Sequence, residues 1–269
     1  MSVSEIKAAM EALGMHPSKG LGQHFLADGR VAERHVLAAG ITKEDVVLEV
    51  GPGLGVLTER LLKLAKKVVA IETDSRMCQY LGKKFEGASN LELVHGDALK
   101  VELPRFDLCV SNLPYQISSP ITFRLLGCEF ERALLMYQME FAERMVAKPG
   151  TENYSRLSVM AQHRAACSIE FKVPRGAYYP QPKVDSAVVK LVPRKPDYEV
   201  KDEALFSEVV KVLFAHRRKK IRTALCDNAK SLGLEKEVIL AALDSTGYGD
   251  ERVENLAPAE IARLANSLR

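Results

Sequence analysis

The chain has no tryptophan, and aromatic residues make up only 6% of its 269 positions. That scarcity argues against an all-β sandwich and for an aliphatic α/β or α core. The five cysteines, Cys78, Cys109, Cys128, Cys167 and Cys226, are odd in number, scattered and without a Cys-X-X-Cys pair. They exclude a disulfide scaffold and imply reduced thiols in a cytoplasmic protein. No histidine stands at ligand spacing from another histidine or from a cysteine, so no metal is expected. No apolar run is long enough to cross a bilayer, and Ser4 to Leu13 reads as a short amphipathic helix rather than the heart of a signal peptide, so no membrane partner is expected. Internal repeats and low-complexity segments are absent too. A net charge of +3 is too small to imply a nucleic-acid partner by itself.

What is present is enough for a substantial core, since 47% of the residues are hydrophobic. Val46 to Val50 is a β-branched run that feeds into Gly51-Pro52-Gly53-Leu54-Gly55 and then a helical pattern from Val56 to Leu64. Strand, glycine turn and helix open a nucleotide-binding βαβ unit. The second strand, Val68 to Ile71, closes on Glu72, where a ribose diol is gripped in this architecture. Two details argue against a dinucleotide. The glycines are spaced G-x-G-x-G, and Pro52 deletes a backbone donor from the turn that would cradle a pyrophosphate. Glu49, just before the turn, suits a ligand carrying an ammonium and a sulfonium better than it suits phosphate. The combination favours S-adenosylmethionine over NAD.

The third strand, Leu91 to Val94, leads to Asp97, which can accept from an adenine amino group or equally be a solvated loop acid or a helix cap. A fourth, Phe106 to Ser111, runs into Asn112-Leu113-Pro114-Tyr115. In an open α/β sheet, ligands bind beyond the carboxyl ends of strands. An Asn side-chain oxygen and an adjacent backbone carbonyl can accept both hydrogens of an exocyclic amine, proline stiffens the loop, and tyrosine offers a face for a flat base.

Gly22-Gln23-His24-Phe25-Leu26, Glu49 to Gly55, Gly96-Asp97-Ala98 and Asn112 to Ser118 together resemble the ribosomal RNA adenine N6-dimethyltransferases that act on the small subunit. The likeness runs from Gly20 to the end of the chain. It implies an α/β fold: a Rossmann-like S-adenosylmethionine-dependent methyltransferase domain, residues 1–193 with an N-terminal helical extension, followed by a small all-α RNA-recognition domain, 198–269. It implies transfer of methyl groups to N6 of two adjacent adenosines near the 3′ end of small-subunit rRNA, in an immature small ribosomal subunit, by a monomeric enzyme. Cofactor contacts are implied for His24, Leu26, Gly51, Gly53, Glu72, Asp97 and Asn112; many relatives have Asn where this chain has His24. Asn112, Leu113, Pro114 and Tyr115 fall on the catalytic tetrapeptide, and Tyr178 on an aromatic that stacks on the flipped adenine opposite Tyr115.

Past the tetrapeptide, helices are expected at Pro120 to Leu126, Glu140 to Val146 and Tyr154 to Ala165, and strands at Arg132 to Tyr137, Ile169 to Val173 and Ala187 to Leu191. The loop Tyr178 to Ser186 is stiffened by two prolines and carries Lys183, within a basic stripe from Lys172 to Lys195. Pro193 to Asp197 reads as a linker. Beyond it, helical patterns span Glu203 to Phe214, Lys219 to Ser231, Lys236 to Leu243 and Pro258 to Leu268. Between the first two lies a dense basic block containing Arg217, Arg218, Lys219, Lys220 and Arg222. Such a run is either a solvated face or a phosphate contact, and in the same chain as an adenine-directed pocket, where it matches the similarly basic block of the family it resembles, we favour RNA phosphate. Competing assignments are a large-subunit rRNA adenine dimethyltransferase and a ribosome-assembly binding factor with secondary methylation. DNA adenine methyltransferases usually carry Pro where this chain has Leu113.

Overall fold

A computed structural model describes residues 1–15 and 24–269; Lys19 to Gln23 of the glycine-rich stretch lie outside the described residues. In chain order the elements are α1 (Val3–Ala12), β1 (Phe25–Leu26), α2 (Gly29–Ala38), β2 (Val46–Val50), α3 (Thr58–Leu64), β3 (Lys67–Glu72), α4 (Ser75–Lys84), β4 (Leu91–His95), β5 (Leu108–Asn112), α5 (Ser118–Leu125), β6 (Arg132–Gln138) and α6 (Met139–Val146). They continue with α7 (Arg156–Arg164), β7 (Ala165–Val173), β8 (Tyr178–Tyr179), β9 (Ser186–Pro193), α8 (Glu203–Ala215), α9 (Ile221–Cys226), α10 (Ala229–Leu232), α11 (Lys236–Thr246) and α12 (Pro258–Ser267).

Seven strands form one sheet in the order β4-β3-β2-β5-β6-β9-β7. β2 pairs in parallel with β3 and β5, β3 with β4, and β5 with β6, whereas β9 runs antiparallel to β6. Strands at the centre of such a sheet are covered on both faces and read as continuous apolar runs. That explains Val47, Leu48 and Val50 of β2 and Ala133 to Tyr137 of β6, all buried. Each large aliphatic side chain there contributes about 1.5–3 kcal/mol of burial. β1 and β8 form a separate two-residue ribbon, with Phe25 opposite Tyr179 and Leu26 opposite Tyr178. Helix α1 is closed by a capping box between Ser2 and Glu5 and packs Ile6 and Met10 in a cluster with Phe25, Leu54 and Met77.

The chain divides into two compact units, Met1–Ala142 with Cys167–Pro193, and Glu143–Ala166 with Arg194–Arg269. The expected division at 193 and 198 left residues 143–166 in the first domain, whereas here they group with the C-terminal helices. The reason lies in specific bonds. The Tyr154 hydroxyl donates to the Leu256 carbonyl at 2.8 Å, its ring meets Phe214 edge-on, and Arg217 donates to the carbonyls of Glu152 and Tyr154. The pattern read as one helix from Lys219 to Ser231 is two, because the chain leaves helical geometry at Asn228, whose φ is −115° and whose side chain caps the Ala224 carbonyl.

Candidate active site

The strands adjoining β2 lead in opposite directions across the sheet, and a crevice opens where the order reverses, between the carboxyl ends of β2 and β5. The two strands pair only at Val47–Leu108 and Leu48–Cys109. Beyond that they part, and the Val50 N–H, which would otherwise be orphaned, donates to the buried Ser111 hydroxyl at 2.8 Å. The resulting cavity, about 470 Å³, is lined by residues that include His24, Leu26, Gly51, Gly53, Glu72, Asp97 and Asn112 to Tyr115. All seven residues expected at the cofactor therefore line one cavity, and so do four of the five expected at the reacting base. Among the described residues, the cavity wall carries four carboxylates, Glu49, Glu72, Asp74 and Asp97, and neither lysine nor arginine.

The acids are held differently. Glu72 ends β3 and folds back on the glycine turn, accepting from the Gly53 N–H at 3.0 Å and from the amides of Thr73 and Asp74. Burial raises its pKa against those bonds. Glu49 is 1% exposed and accepts from the Thr58 hydroxyl at 2.6 Å. Burial, with Glu72 nearby, pushes its carboxyl up to about 8. Asp97 accepts from the Leu99 amide at 2.9 Å within a turn, and no helix follows it for it to cap. Gly51 has φ +69°, and a Cβ on it would sit 3.2 Å from the ring of Pro114. The turn thus brings its backbone against the tetrapeptide loop in a conformation that side chains disfavour.

Asn112 is the last residue of β5, aligned with Met136 of β6, and neither its side-chain amide nor the Leu113 carbonyl bonds another described residue. Both remain available to a ligand. Tyr115 is pinned by its hydroxyl, 2.8 Å from Ser186 Oγ, and its ring lies 5.6 Å from that of His24. His24 Nδ1 donates to the Pro180 carbonyl at 2.7 Å, which leaves Nε2 as its remaining polar atom where an Asn would offer an amide.

Tyr178 departs from expectation. It is 2% exposed, pairs with Leu26, donates its hydroxyl to the Met136 sulfur and is absent from the cavity wall. Burial raises its pKa well above the usual phenol value. In this geometry its ring is covered rather than open to the cavity. Sequence reasoning missed Thr58, Ser111 and Ser186. Ser111 lies inside β5 and Ser186 opens β9, where an unpaired hydroxyl would be costly, and Thr58 begins α3 just past the glycine turn.

In the other unit, the basic block is largely paired. Arg217 meets Glu254, Lys219 meets Asp227, Lys220 meets Asp250 at 2.8 Å and Arg222 meets Asp244. Arg218 is exposed and has no partner among the described residues. Lys183, in the first unit, is exposed as well.

A parallel sheet closed by one antiparallel strand, with a glycine turn and an acid-lined crevice at the point of reversal, is the Rossmann-like methyltransferase fold. Within that class the family profile described as Ribosomal RNA adenine dimethylase matches residues 16–269, and the chain belongs to this family. It is 51% identical over 255 residues to a probable ribosomal RNA small subunit methyltransferase A of Thermococcus gammatolerans, covering 95% of this chain and 90% of the relative. A protein of the same name from Methanosarcina acetivorans is 49% identical over 248 residues, 91% of each chain. Among solved structures, a dimethyladenosine transferase from Plasmodium falciparum superposes with a TM-score of 0.79 at 33% identity, covering 90% of this chain and 96% of its own. The 23S rRNA methyltransferase ErmE gives 0.68 at 31% identity, covering 91% and 99%.

Proposed function

We propose that the protein transfers methyl groups from S-adenosylmethionine to N6 of two adjacent adenosines near the 3′ end of small-subunit rRNA, within an immature small ribosomal subunit. The observation that carries this reading is the free acceptor pair at the end of β5, the Asn112 amide and the Leu113 carbonyl, on the wall of an acidic cavity. The names borne by relatives about half identical to this chain favour the small-subunit substrate over the large-subunit one.

The residues present fit the cofactor. Gly51 and Gly53 both have positive φ and no Cβ, Glu72 is turned into the cavity wall, and the wall has carboxylates where a net cation would lie. Glu72 is placed to accept from ribose hydroxyls and Asp97 from an adenine amine, while His24, Leu26 and the glycine turn complete the enclosure. When bound, S-adenosylmethionine supplies an electrophilic methyl group on a cationic sulfur.

The rest of the chemistry is positioning by the chain. The adenine N6 lone pair is delocalised into the ring and must be recovered. Accepting both N–H bonds at the Asn112 oxygen and the Leu113 carbonyl draws the nitrogen toward tetrahedral geometry and points its lone pair at the methyl. No general base is needed at that step, because orientation and electrostatics lower the barrier. Pro114, against Gly51, keeps the loop from swinging. Tyr115, anchored by Ser186, offers its ring to a base that has left its stack, offsetting about 1–3 kcal/mol of the unstacking cost. With Tyr178 buried, the second face of the base is left to groups other than its ring.

The test is Asn112→Ala. Methyl transfer to immature small subunits should fall at least a hundredfold while S-adenosylmethionine affinity stays within a few-fold, a separation of about 2.7 kcal/mol. Equal losses in both would reduce Asn112 to a cofactor ligand. Mapping the label on small subunits, large subunits and DNA tests the substrate.

A further inference from the structure

We propose that loading the cationic cofactor expels a proton from Glu49, so that this side chain is both counter-ion and charge filter of the cavity. The inference rests on the cofactor assignment above and deepens it.

Glu49 lines the cavity while 1% exposed, and no cation lies within ion-pair distance of it among the described residues. Its hydrogen-bond partner is Thr58 of α3, whose Oγ1 donates to Oε2. The charged and titratable groups facing it from neighbouring elements are Glu72 of β3, Lys84 of α4 and Cys109 of β5. Glu72 is a like charge in the same wall. Lys84 is turned away to the Leu54 carbonyl at 2.9 Å, with Glu59 its carboxylate neighbour at 3.9 Å. Cys109 is a buried thiol whose own pKa is pushed up to about 12, so it stays neutral. An ionised Glu49 in the empty cavity would therefore be a buried charge beside a second carboxylate with no compensating partner, an arrangement that resolves by taking up a proton.

S-adenosylmethionine carries one carboxylate, one ammonium and one sulfonium, a net charge of +1. Placing that excess positive charge in the cavity supplies the missing partner and favours the carboxylate. The exchange balances: Glu49 gives its proton to solvent, and the carboxylate pairs with the incoming cation. A neutral nucleoside thioether gains nothing from this ionisation. The cavity thus distinguishes ligands by charge as well as by shape.

The experiment is calorimetric titration of the full chain with S-adenosylmethionine at pH 7 in two buffers of different ionisation enthalpy, compared with 5′-methylthioadenosine, which keeps the nucleoside and loses both positive charges. Release of close to one proton per S-adenosylmethionine and about a tenfold gain in affinity per pH unit below the titration range are expected, with no release for the thioether. Glu49→Gln, which keeps an oxygen for Thr58, should abolish the release and flatten the pH dependence. Binding of S-adenosylmethionine without proton release by the wild-type protein overturns the inference, and so does equal release with the thioether. Failure of S-adenosylmethionine to bind at all would instead overturn the cofactor assignment.

Discussion

Two buried titratable residues, His35 and Glu49, contribute to the pH response of the first unit in different ranges. His35 of α2 is wholly buried, donates from Nε2 to the Leu134 carbonyl at 2.8 Å and leaves Nδ1 without a partner. Burial lowers its pKa from 6.5 to about 4, so the folded protein holds it neutral. Its contribution is present above pH 6.5 and is lost as pH falls through about 4, because the unfolded chain takes up the proton first. The loss amounts to about 3 kcal/mol at most. His35→Gln, which keeps a donor for Leu134, should flatten the decline of Tm between pH 6.5 and 4 relative to wild type. An unchanged acid limb would assign that decline to the carboxylates. Glu49 runs the other way, since its raised pKa costs the empty protein stability as pH climbs from its ordinary value toward about 8. Thermal scans of ligand-free Glu49→Gln should therefore show a gain over wild type at pH 8 and little difference at pH 4.5.

At the scale of elements, the glycine turn and the β5 loop behave as one part. Gly51→Ala would have to hold a side chain at φ +69° and push a methyl against Pro114. The backbone cost is about 1–2 kcal/mol. The larger effect should be on turnover, because a shift of about 1 Å in the Asn112–Leu113 acceptors can cost a hundredfold. Single-turnover methyl transfer should drop more than melting temperature or cofactor affinity suggests; a purely proportional loss would uncouple the turn from the loop. These elements are also where the sequence was most legible. β2 matches its expected span, and β3, β4 and β6 extend theirs by one or two residues, since short apolar runs bounded by turn residues read directly as strands. The β1–β8 ribbon escaped notice because two residues carry no periodicity. Asn112, Glu72 and Asp97 were legible as polar ends of apolar runs. The burial of Tyr178 was not legible, because aromatic identity says nothing of which way a ring faces, and its strand partner Leu26 is far away in sequence.

For the whole molecule, the formal charge of +3 understates one segment and overstates another. The basic block after α8 looks in sequence like a strong phosphate-binding surface, but four of its cations already face acids supplied by residues 227–254. Exposed pairs of this kind contribute little to stability, about 0–1 kcal/mol each, and a phosphate can displace the acid only by a near-even exchange. Arg218 has no such competitor. If the block contacts RNA, Arg218→Ala should reduce the slope of log affinity against log salt by about 1, and Lys220→Ala should change it less. Equal slopes for wild type and Arg218→Ala would leave the block as a solvated face. Asp250→Asn should strengthen binding at low salt by freeing Lys220.

The hydroxyl of Ser111 has a consequence for how this cavity can change. A ladder between β2 and β5 that continued past Leu48 would satisfy Val50 with a main-chain carbonyl and close the crevice, whereas the side chain does so while the backbones diverge. Ligand room at this place is thus sustained by one oxygen atom that belongs to no ligand contact. Ser111→Ala removes it without adding bulk, and threonine alone among the aliphatic-sized residues could replace it while keeping an oxygen.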